Sequence, residues 1–276
     1  MNFIGLFNKA VGTTHSRLCI GLDPEVNLLP LSVKNKKRSL FLFNKTIIDA
    51  THDLVCAYKP NSAFYESSGA GGILELKMTC DYIKKNYPKI LIFLDAKRAD
   101  IGNTNRHYVE YAFGYLGVDA ITLHPYLGEE GIAPFLERSN KGCIILCRTS
   151  NPGAREFQNL KVDGTLLYQT VAKQVAQKWN SRKNCMLVVG ATYPSEMKEI
   201  RKLAPNVPFL IPGIGAQGGD LEASITAGID SRGGGIVIAV SRTVLYTSGS
   251  GDFALAARKK AKELRDQIDE IIQRLS

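Results

Sequence analysis

The chain has 276 residues, 45% of them hydrophobic and 22% charged, with a formal net charge of +9. That is an ordinary globular composition, and the length allows one large domain or two small ones. No apolar run approaches the roughly 18 residues that span a membrane, and the start Met1-Asn2-Phe3-Ile4-Gly5 lacks the basic and apolar regions of a secretory signal.

In chain order, a short apolar run at Leu18–Leu22 precedes an amphipathic stretch at Leu40–Leu54. Val55–Lys59 is followed by the helical spacing of Gly72–Tyr87, and strand-like runs return at Ile90–Asp95, Ala120–His124 and Cys143–Cys147. Thr165–Trp179 reads as a helix, then Met186–Gly190 as a strand, Pro194–Leu203 as a helix and Pro208–Pro212 as a strand. Leu221–Ala227, Ile236–Val240 and a last helix over 253–276 complete the series. Alternation of this kind predicts a parallel sheet covered by helices. Eight strands and this length favour an α/β fold of the closed (β/α)8 type, a TIM barrel, over an open doubly wound sheet. With no linker or change of composition, residues 1–276 are expected to form a single domain. The last helix, with Leu255, Ala261, Leu264, Ile268, Ile271, Ile272 and Leu275 as its apolar positions, is expected to pack on the barrel exterior.

The six cysteines are scattered, mostly inside apolar runs. They read as small buried hydrophobes in a reducing, cytoplasmic setting rather than disulfides or metal ligands. The basic balance would suit nucleic acid or an anionic small molecule. The excess is spread along the chain, and the dense run Lys34-Asn35-Lys36-Lys37-Arg38 lacks the aromatic residues of a single-strand binder. A small-molecule partner is therefore expected, with no nucleic acid and no membrane.

In such barrels the chemistry sits where strands end. Polar residues follow six of the apolar runs: Asp23; Lys59 and Asn61; Asp95 and Lys97; Ser150; the segment Gly213–Gly219; and Ser241 with Arg242. The sharpest case is Phe93-Leu94-Asp95-Ala96-Lys97-Arg98-Ala99-Asp100. Side chains alternate along a strand, so Asp95 and Lys97 share a face. With Lys59 from the neighbouring strand and Asp100 on the loop, the mouth would hold an alternating Lys–Asp–Lys–Asp array. Two flanking carboxylates favour the charged ammonium of Lys97, which suits stabilising a carbanion and giving up a proton rather than Schiff-base attack. The carboxylates would also repel a substrate carboxylate.

On the far rim, glycines 213, 215, 218 and 219 let backbone N–H groups approach an anion, and Arg242 adds a fork of donors. Gln217 is placed to close over a phosphate, and Ser150 to reach a base or carboxylate. His124 ends a strand, but nothing at metal-ligand spacing accompanies it, so an orienting or packing role is expected. His15, His52 and His107 read as surface or helix residues.

Asp95-Ala96-Lys97-Arg98-Ala99-Asp100-Ile101-Gly102-Asn103-Thr104 resembles the D-x-K-x-x-D-I-x-x-T signature of the orotidine 5′-monophosphate decarboxylase family, in its longer bacterial branch. Gly21-Leu22-Asp23-Pro24, Lys59-Pro60-Asn61, Thr149-Ser150-Asn151-Pro152-Gly153, Pro212–Asp220 and Ser241-Arg242 fit in order and spacing. The resemblance implies a lyase without cofactor or metal that makes uridine monophosphate at the end of pyrimidine synthesis. It implies Lys97 as proton donor, Asp95 and Asp100 beside the departing carboxylate, and Lys59 completing the network. Asp23 and Thr104 would hold ribose hydroxyls, with Asn61 beside them. Ser150 and Gln217 would contact base or phosphate, and Gly215, Ser241 and Arg242 would form the phosphate end. Asp100 and Thr104 would reach into the partner's site of a homodimer. The alternatives are a metal-dependent sugar-phosphate decarboxylase or aldolase of the same barrel superfamily, a Schiff-base aldolase using Lys97, and a catalytically dead nucleotide-binding barrel.

Overall fold

The computed structural model describes residues 1–215 and 217–275; Ala216 of the glycine-rich segment and Ser276, the expected end of the last helix, lie outside the described residues. Eight parallel strands close into a barrel: β1 Leu18–Gly21, β2 Ala57–Lys59, β3 Leu91–Arg98, β4 Ala120–Leu123, β5 Gly142–Arg148, β6 Cys185–Val189, β7 Phe209–Pro212 and β8 Ile236–Val240. Neighbours in sequence are neighbours in the sheet, and β8 pairs with β1 through Leu18 opposite Ile238 and Ile20 opposite Val240.

The period of two separates two apolar layers. Leu18, Ile20, Ile92, Leu94, Ile121 and Ile238 face the surrounding helices. Cys19, Ala57, Phe93, Ala120, Ile144 and Val237 belong to a second cluster inside the barrel. All six cysteines are free and buried, and burial raises the thiols of Cys56, Cys80 and Cys185 to about 12, so they act as packing.

The barrel floor is closed by a helix the sequence reading did not name, Phe3–Thr14. Asn2 caps it by accepting from the Gly5 N–H at 2.9 Å. Its Phe3, Phe7 and Ala10 join the inner cluster, and Phe3 meets Phe93 edge-on at 6.2 Å. A Cβ on Gly142 would stand 2.5 Å from the Phe3 ring, so that glycine makes room for the plug. The helical spacing of Phe3, Phe7 and Ala10 was in the sequence, but Gly5 and Gly12 within the segment weaken its helix propensity.

Other departures have local causes. The helix after β3, Gly102–Val109, continues as a wider turn over Glu110–Tyr115; it buries only Asn105 and Val109 in its first part, too thin a stripe to read. After β4 the helix is a single turn, Ala133–Leu136. The helix expected from Thr165 starts at Leu167, because Thr165–Leu166 pairs antiparallel with Lys161–Val162. That hairpin turns on Asp163-Gly164, with φ of 50° and 76°, as an Asp-Gly pair favours. The last helix, Phe253–Leu275, does pack outside the barrel, but on Phe253, Ala257, Ala261, Leu264, Ile268, Ile271 and Ile272. Leu255, expected on that face, is 72% exposed, and Phe253 instead stacks on Phe43 at 5.4 Å. Among the described residues no helix is long and apolar enough to cross a membrane.

Phe3→Ala is expected to lower the unfolding free energy by about 3–5 kcal/mol in urea titration. A loss under about 1 kcal/mol would mean that the floor closes without the ring.

Candidate active site

Lys59 ends β2 with interior parity, Asp95 continues the interior face of β3, and Thr122 that of β4. These three project into a cavity of about 680 Å³ at the C-terminal mouth of the barrel. Its floor is apolar, made by Leu146, Val188, Leu210 and Ala239. Its walls carry Asp23, Asn61 and Lys97 on one side and Gly213, Gln217 and Arg242 on the other.

Asp95 is the centre of the charged wall. Its Oδ2 accepts from Lys59 Nζ at 2.9 Å and its Oδ1 from Lys97 Nζ at 2.6 Å. Burial alone would raise this carboxyl; the Lys59 and Lys97 ammoniums more than reverse that and hold it well below the usual carboxylate range. Burial would likewise lower the Lys59 ammonium, but the charges of Asp95 and Asp23 keep it above its ordinary value. Asp23 also accepts from the Asn61 N–H at 3.1 Å, which ties the ends of β1 and β2 together.

Lys97 reaches Asp95, but not by simple alternation. The β3–β4 register passes from Leu94 opposite Ile121 to Arg98 opposite Leu123, so four residues of β3 advance against two of β4. Lys97 takes up the slack with φ of 48°, in the left-handed region. Asp100 does not join the cluster of its own chain. Its Oδ1 accepts from the Ile101 N–H at 2.7 Å, and its backbone is held by the buried Asn105. Neither Asp100 nor Thr104 lines the cavity.

The opposite wall is built on glycine. Gly213 has φ of 103°, and a Cβ there would meet Gln217 Oε1 at 3.0 Å and Ser150 Cβ at 3.4 Å, so Gln217 and Ser150 flank the bare backbone. Gly219 N–H closes the loop on Gly213 O at 3.1 Å. Gly215 belongs to this loop but faces Thr243 rather than the cavity. Asp220 caps the following helix, Leu221–Gly228, through the Ala223 N–H at 2.8 Å. Arg242 is exposed and makes no ion pair among the described residues. Ser241 Oγ is buried without a hydrogen-bond partner among the described residues. The run Gly233-Gly234-Gly235, which preceded this site in sequence, lies at the other end of β8. There Asp230 Oδ1 accepts from Arg232 and Gly234 N–H at 2.9 and 3.0 Å, away from Arg242.

His124 lies outside the cavity, its backbone N–H on Arg98 O at 3.1 Å. Three residues at the site were not foreseen. Thr122 binds both Asp95 and the backbone of β3. Gln158, in the short helix Ala154–Gln158, accepts from the Thr149 N–H at 2.9 Å and donates to Thr149 Oγ1 at 2.8 Å, anchoring the segment after β5. Arg148 is fully buried beneath it, 3.8 Å over the Tyr193 ring and 3.8 Å from Glu196. Only the Arg148-Thr149-Ser150 adjacency at a strand end hinted at them.

Residues 16–259 match the Orotidine 5'-phosphate decarboxylase / HUMPS family. A relative from Cellvibrio japonicus named orotidine 5'-phosphate decarboxylase is 50% identical over 271 residues, 98% of each chain. One of the same name from Herpetosiphon aurantiacus is 51% identical over 261 residues, 94% of this chain and 95% of its own. The solved OMP decarboxylase of Leishmania donovani superposes with a TM-score of 0.86 at 36% identity over 99% of both chains. The UMP synthase of the same organism superposes at 0.88 and 38% identity, over 99% of this chain and 57% of that one.

The sign of the Asp95 shift sets a pH test. Its contribution to stability is present above the unfolded-state value of about 3.9 and is lost as the pH falls from there toward the lower folded-state value. Asp95→Asn strips Lys59 of its nearest counter-charge and is expected to cost about 3 kcal/mol at neutral pH. In urea titrations repeated down to about pH 2, the gap to the wild-type chain should shrink. A constant gap would mean that the Asp95 charge is not what stabilises the mouth.

Proposed function

Because the chain belongs to the Orotidine 5'-phosphate decarboxylase / HUMPS family, we propose that the Lys59–Asp95–Lys97 cluster is the apparatus that removes carbon dioxide from orotidine 5′-phosphate. The enzyme is a carboxy-lyase, and its product is uridine monophosphate, the end of UMP biosynthesis. The observation that carries the assignment of roles is one buried carboxylate shared by two ammoniums above an apolar floor.

The substrate carries a phosphate at one end and a carboxylate on its base at the other. Arg242, Gln217, Ser241 and the bare backbone at Gly213 receive the phosphate, which anchors the nucleotide far from the reacting carbon, while Gly215 shapes the loop against Thr243. Asp23 and Asn61 take ribose hydroxyls, and Ser150 the base. The base then lies over the apolar floor with its carboxylate toward Asp95. As the carbon–carbon bond breaks, its electron pair stays on the ring carbon and carbon dioxide leaves. The Lys97 ammonium stabilises that charge as it forms and delivers a proton to the carbon, regaining one from water afterwards. No cofactor enters this reading. The sugar-phosphate alternative gains no support from the relatives, which are named orotidine 5'-phosphate decarboxylase.

The chain acts in this reading as a single domain and as a homodimer. Asp100, on the loop after β3, and Thr104, in the first turn of the helix Gly102–Val109, sit outside their own cavity, and Asn105 ties this segment to Gly131 O at 2.8 Å on the loop after β4. The same loops expose Ile101, Tyr126 and Leu127, an apolar rim suited to a second copy. Asp100 of the partner subunit would then complete the charged wall, and Thr104 of the partner subunit would reach the ribose.

Purified protein in chelator is expected to consume orotidine 5′-phosphate, seen as loss of the ultraviolet absorbance of the conjugated carboxylate; unchanged absorbance would remove the function. Lys97→Ala is expected to lose at least about 1,000-fold in turnover while still binding uridine monophosphate, and normal turnover would displace Lys97 as donor. Mixing inactive Lys97→Ala with inactive Asp100→Ala chains should restore roughly a quarter of wild-type activity, since half the dimers would be mixed and hold one intact site of two. No recovery on mixing would place Asp100 in the site of its own chain.

A further inference from the structure

The donor lysine stands in a backbone conformation that side-chain-bearing residues avoid. Left-handed φ costs an L-residue about 1–2 kcal/mol. In addition, the slip between β3 and β4 takes residues 95–97 off the ladder to β4, so their N–H groups lack strand partners on that side. The Asp95 N–H turns to Pro60 O at 2.9 Å, on the β2 side. The N–H groups of Ala96 and Lys97 both turn to one atom, Thr122 Oγ1, at 3.0 and 2.9 Å. The same hydroxyl donates its proton to Asp95 Oδ1 at 3.0 Å, the oxygen that also receives Lys97 Nζ.

One hydroxyl has one proton and two acceptor sites, so Thr122 is fully used. Successive N–H groups converging on an oxygen from a turn with left-handed φ form a small nest, electropositive and shaped for an acceptor. Hydrogen bonds linked in series strengthen one another, so the nest sharpens the hydroxyl as a donor to Asp95. The links form a closed ring: Asp95, Ala96 and Lys97 along the chain, Thr122 across to the next strand, and the Lys97 ammonium back to Asp95. Outside the ring the turn is steadied by Arg98, which pairs with Glu66 and donates to Ala96 O at 3.5 Å, a much weaker hold. Thr122 itself is 1% exposed on β4, a rigid strand paired on both sides.

We propose that Thr122 is the positioning residue of the reaction, its hydroxyl fixing the β3 turn that aims the Lys97 ammonium and fixing the Asp95 oxygen against which it is aimed. This rests on the reading of Lys97 as proton donor. Thr122 need not touch the nucleotide. It acts through the turn, so its loss should slow the chemical step and leave binding nearly intact.

Thr122→Val keeps the shape and removes the hydroxyl; Thr122→Ser keeps the hydroxyl and removes a methyl. Misplacing a reacting group by about 1 Å costs on the order of 100-fold in rate. Thr122→Val is therefore expected to lower kcat by about 100-fold with KM and affinity for uridine monophosphate within about threefold of wild type. Thr122→Ser should stay within about threefold of wild type in kcat. In the wild-type protein the Ala96 and Lys97 amides should exchange slowly with deuterium although they stand off the ladder, and this holds whether or not Thr122→Val folds. The inference is overturned by wild-type kcat in Thr122→Val, by equal losses in the Val and Ser variants, or by fast exchange of both amides. Failure of the wild-type enzyme to decarboxylate orotidine 5′-phosphate would instead strike the functional reading itself.

Discussion

Burying the Asp95 carboxylate is the constraint on which the site depends. A lone carboxylate at that depth would lose its hydration and take up a proton instead. Two ammoniums, one on each oxygen, keep it ionised. Removing Asp95 would leave the buried Lys59 ammonium without its nearest counter-charge in a low-dielectric mouth, the situation in which a broken ion pair is most costly. The cluster is thus poor as a stabiliser and effective as a device. Its charges are fixed before the substrate arrives, so none has to be reoriented while the reaction proceeds.

The rest of the barrel can be understood as what this wall requires. Parallel strands in regular order bring Lys59, Asp95 and Thr122 to one height on neighbouring strands. The Phe3–Thr14 helix seals the far end, so the interior below the charges is apolar. The floor of Leu146 and Leu210 carries no donor that could compete for the carboxylate. Across the mouth, by contrast, Arg242 stands exposed and Gly213 leaves its backbone bare, which suits the phosphate end proposed for the substrate. One face is preorganised for charge that develops, the other for charge that persists.

Much of this was legible in the sequence because barrel chemistry sits where strand parity meets the rim. The alternation of apolar runs gave the barrel, parity gave the inward face of Asp95, and its place at the end of the neighbouring strand gave Lys59. Parity failed at Lys97, whose place depends on a slip against β4 that no pattern within β3 records. Thr122 was hidden for the same reason: within Ala120–Leu123 it reads as one more β-branched strand residue, and only its neighbour across the sheet reveals its use. Arg148 was missed because its partners Tyr193 and Glu196 lie beyond β6, and Gln158 because it reaches Thr149 only by folding its own helix back on the strand end. Leu255 went wrong by half a turn, since an apolar residue at a helix start has no fixed phase until the rest of the stripe is placed.

The two lysines on Asp95 are not equivalent, and the geometry distinguishes them. The Lys59 side chain is 10% exposed, and both Asp95 and Asp23 act to keep its proton in place. It is fixed in the wall and serves to hold the carboxylate charged. The Lys97 side chain is 49% exposed, faces the open cavity and, among the described residues, has Asp95 Oδ1 as its one carboxylate partner. In the proposed reaction Lys97 gives its proton to carbon and then recovers one from water, and it needs that access. A group that must keep Asp95 ionised throughout needs the opposite. Asp95 can therefore hold the donor without surrendering its own charge, because when Lys97 gives up its proton the carboxylate still has Lys59.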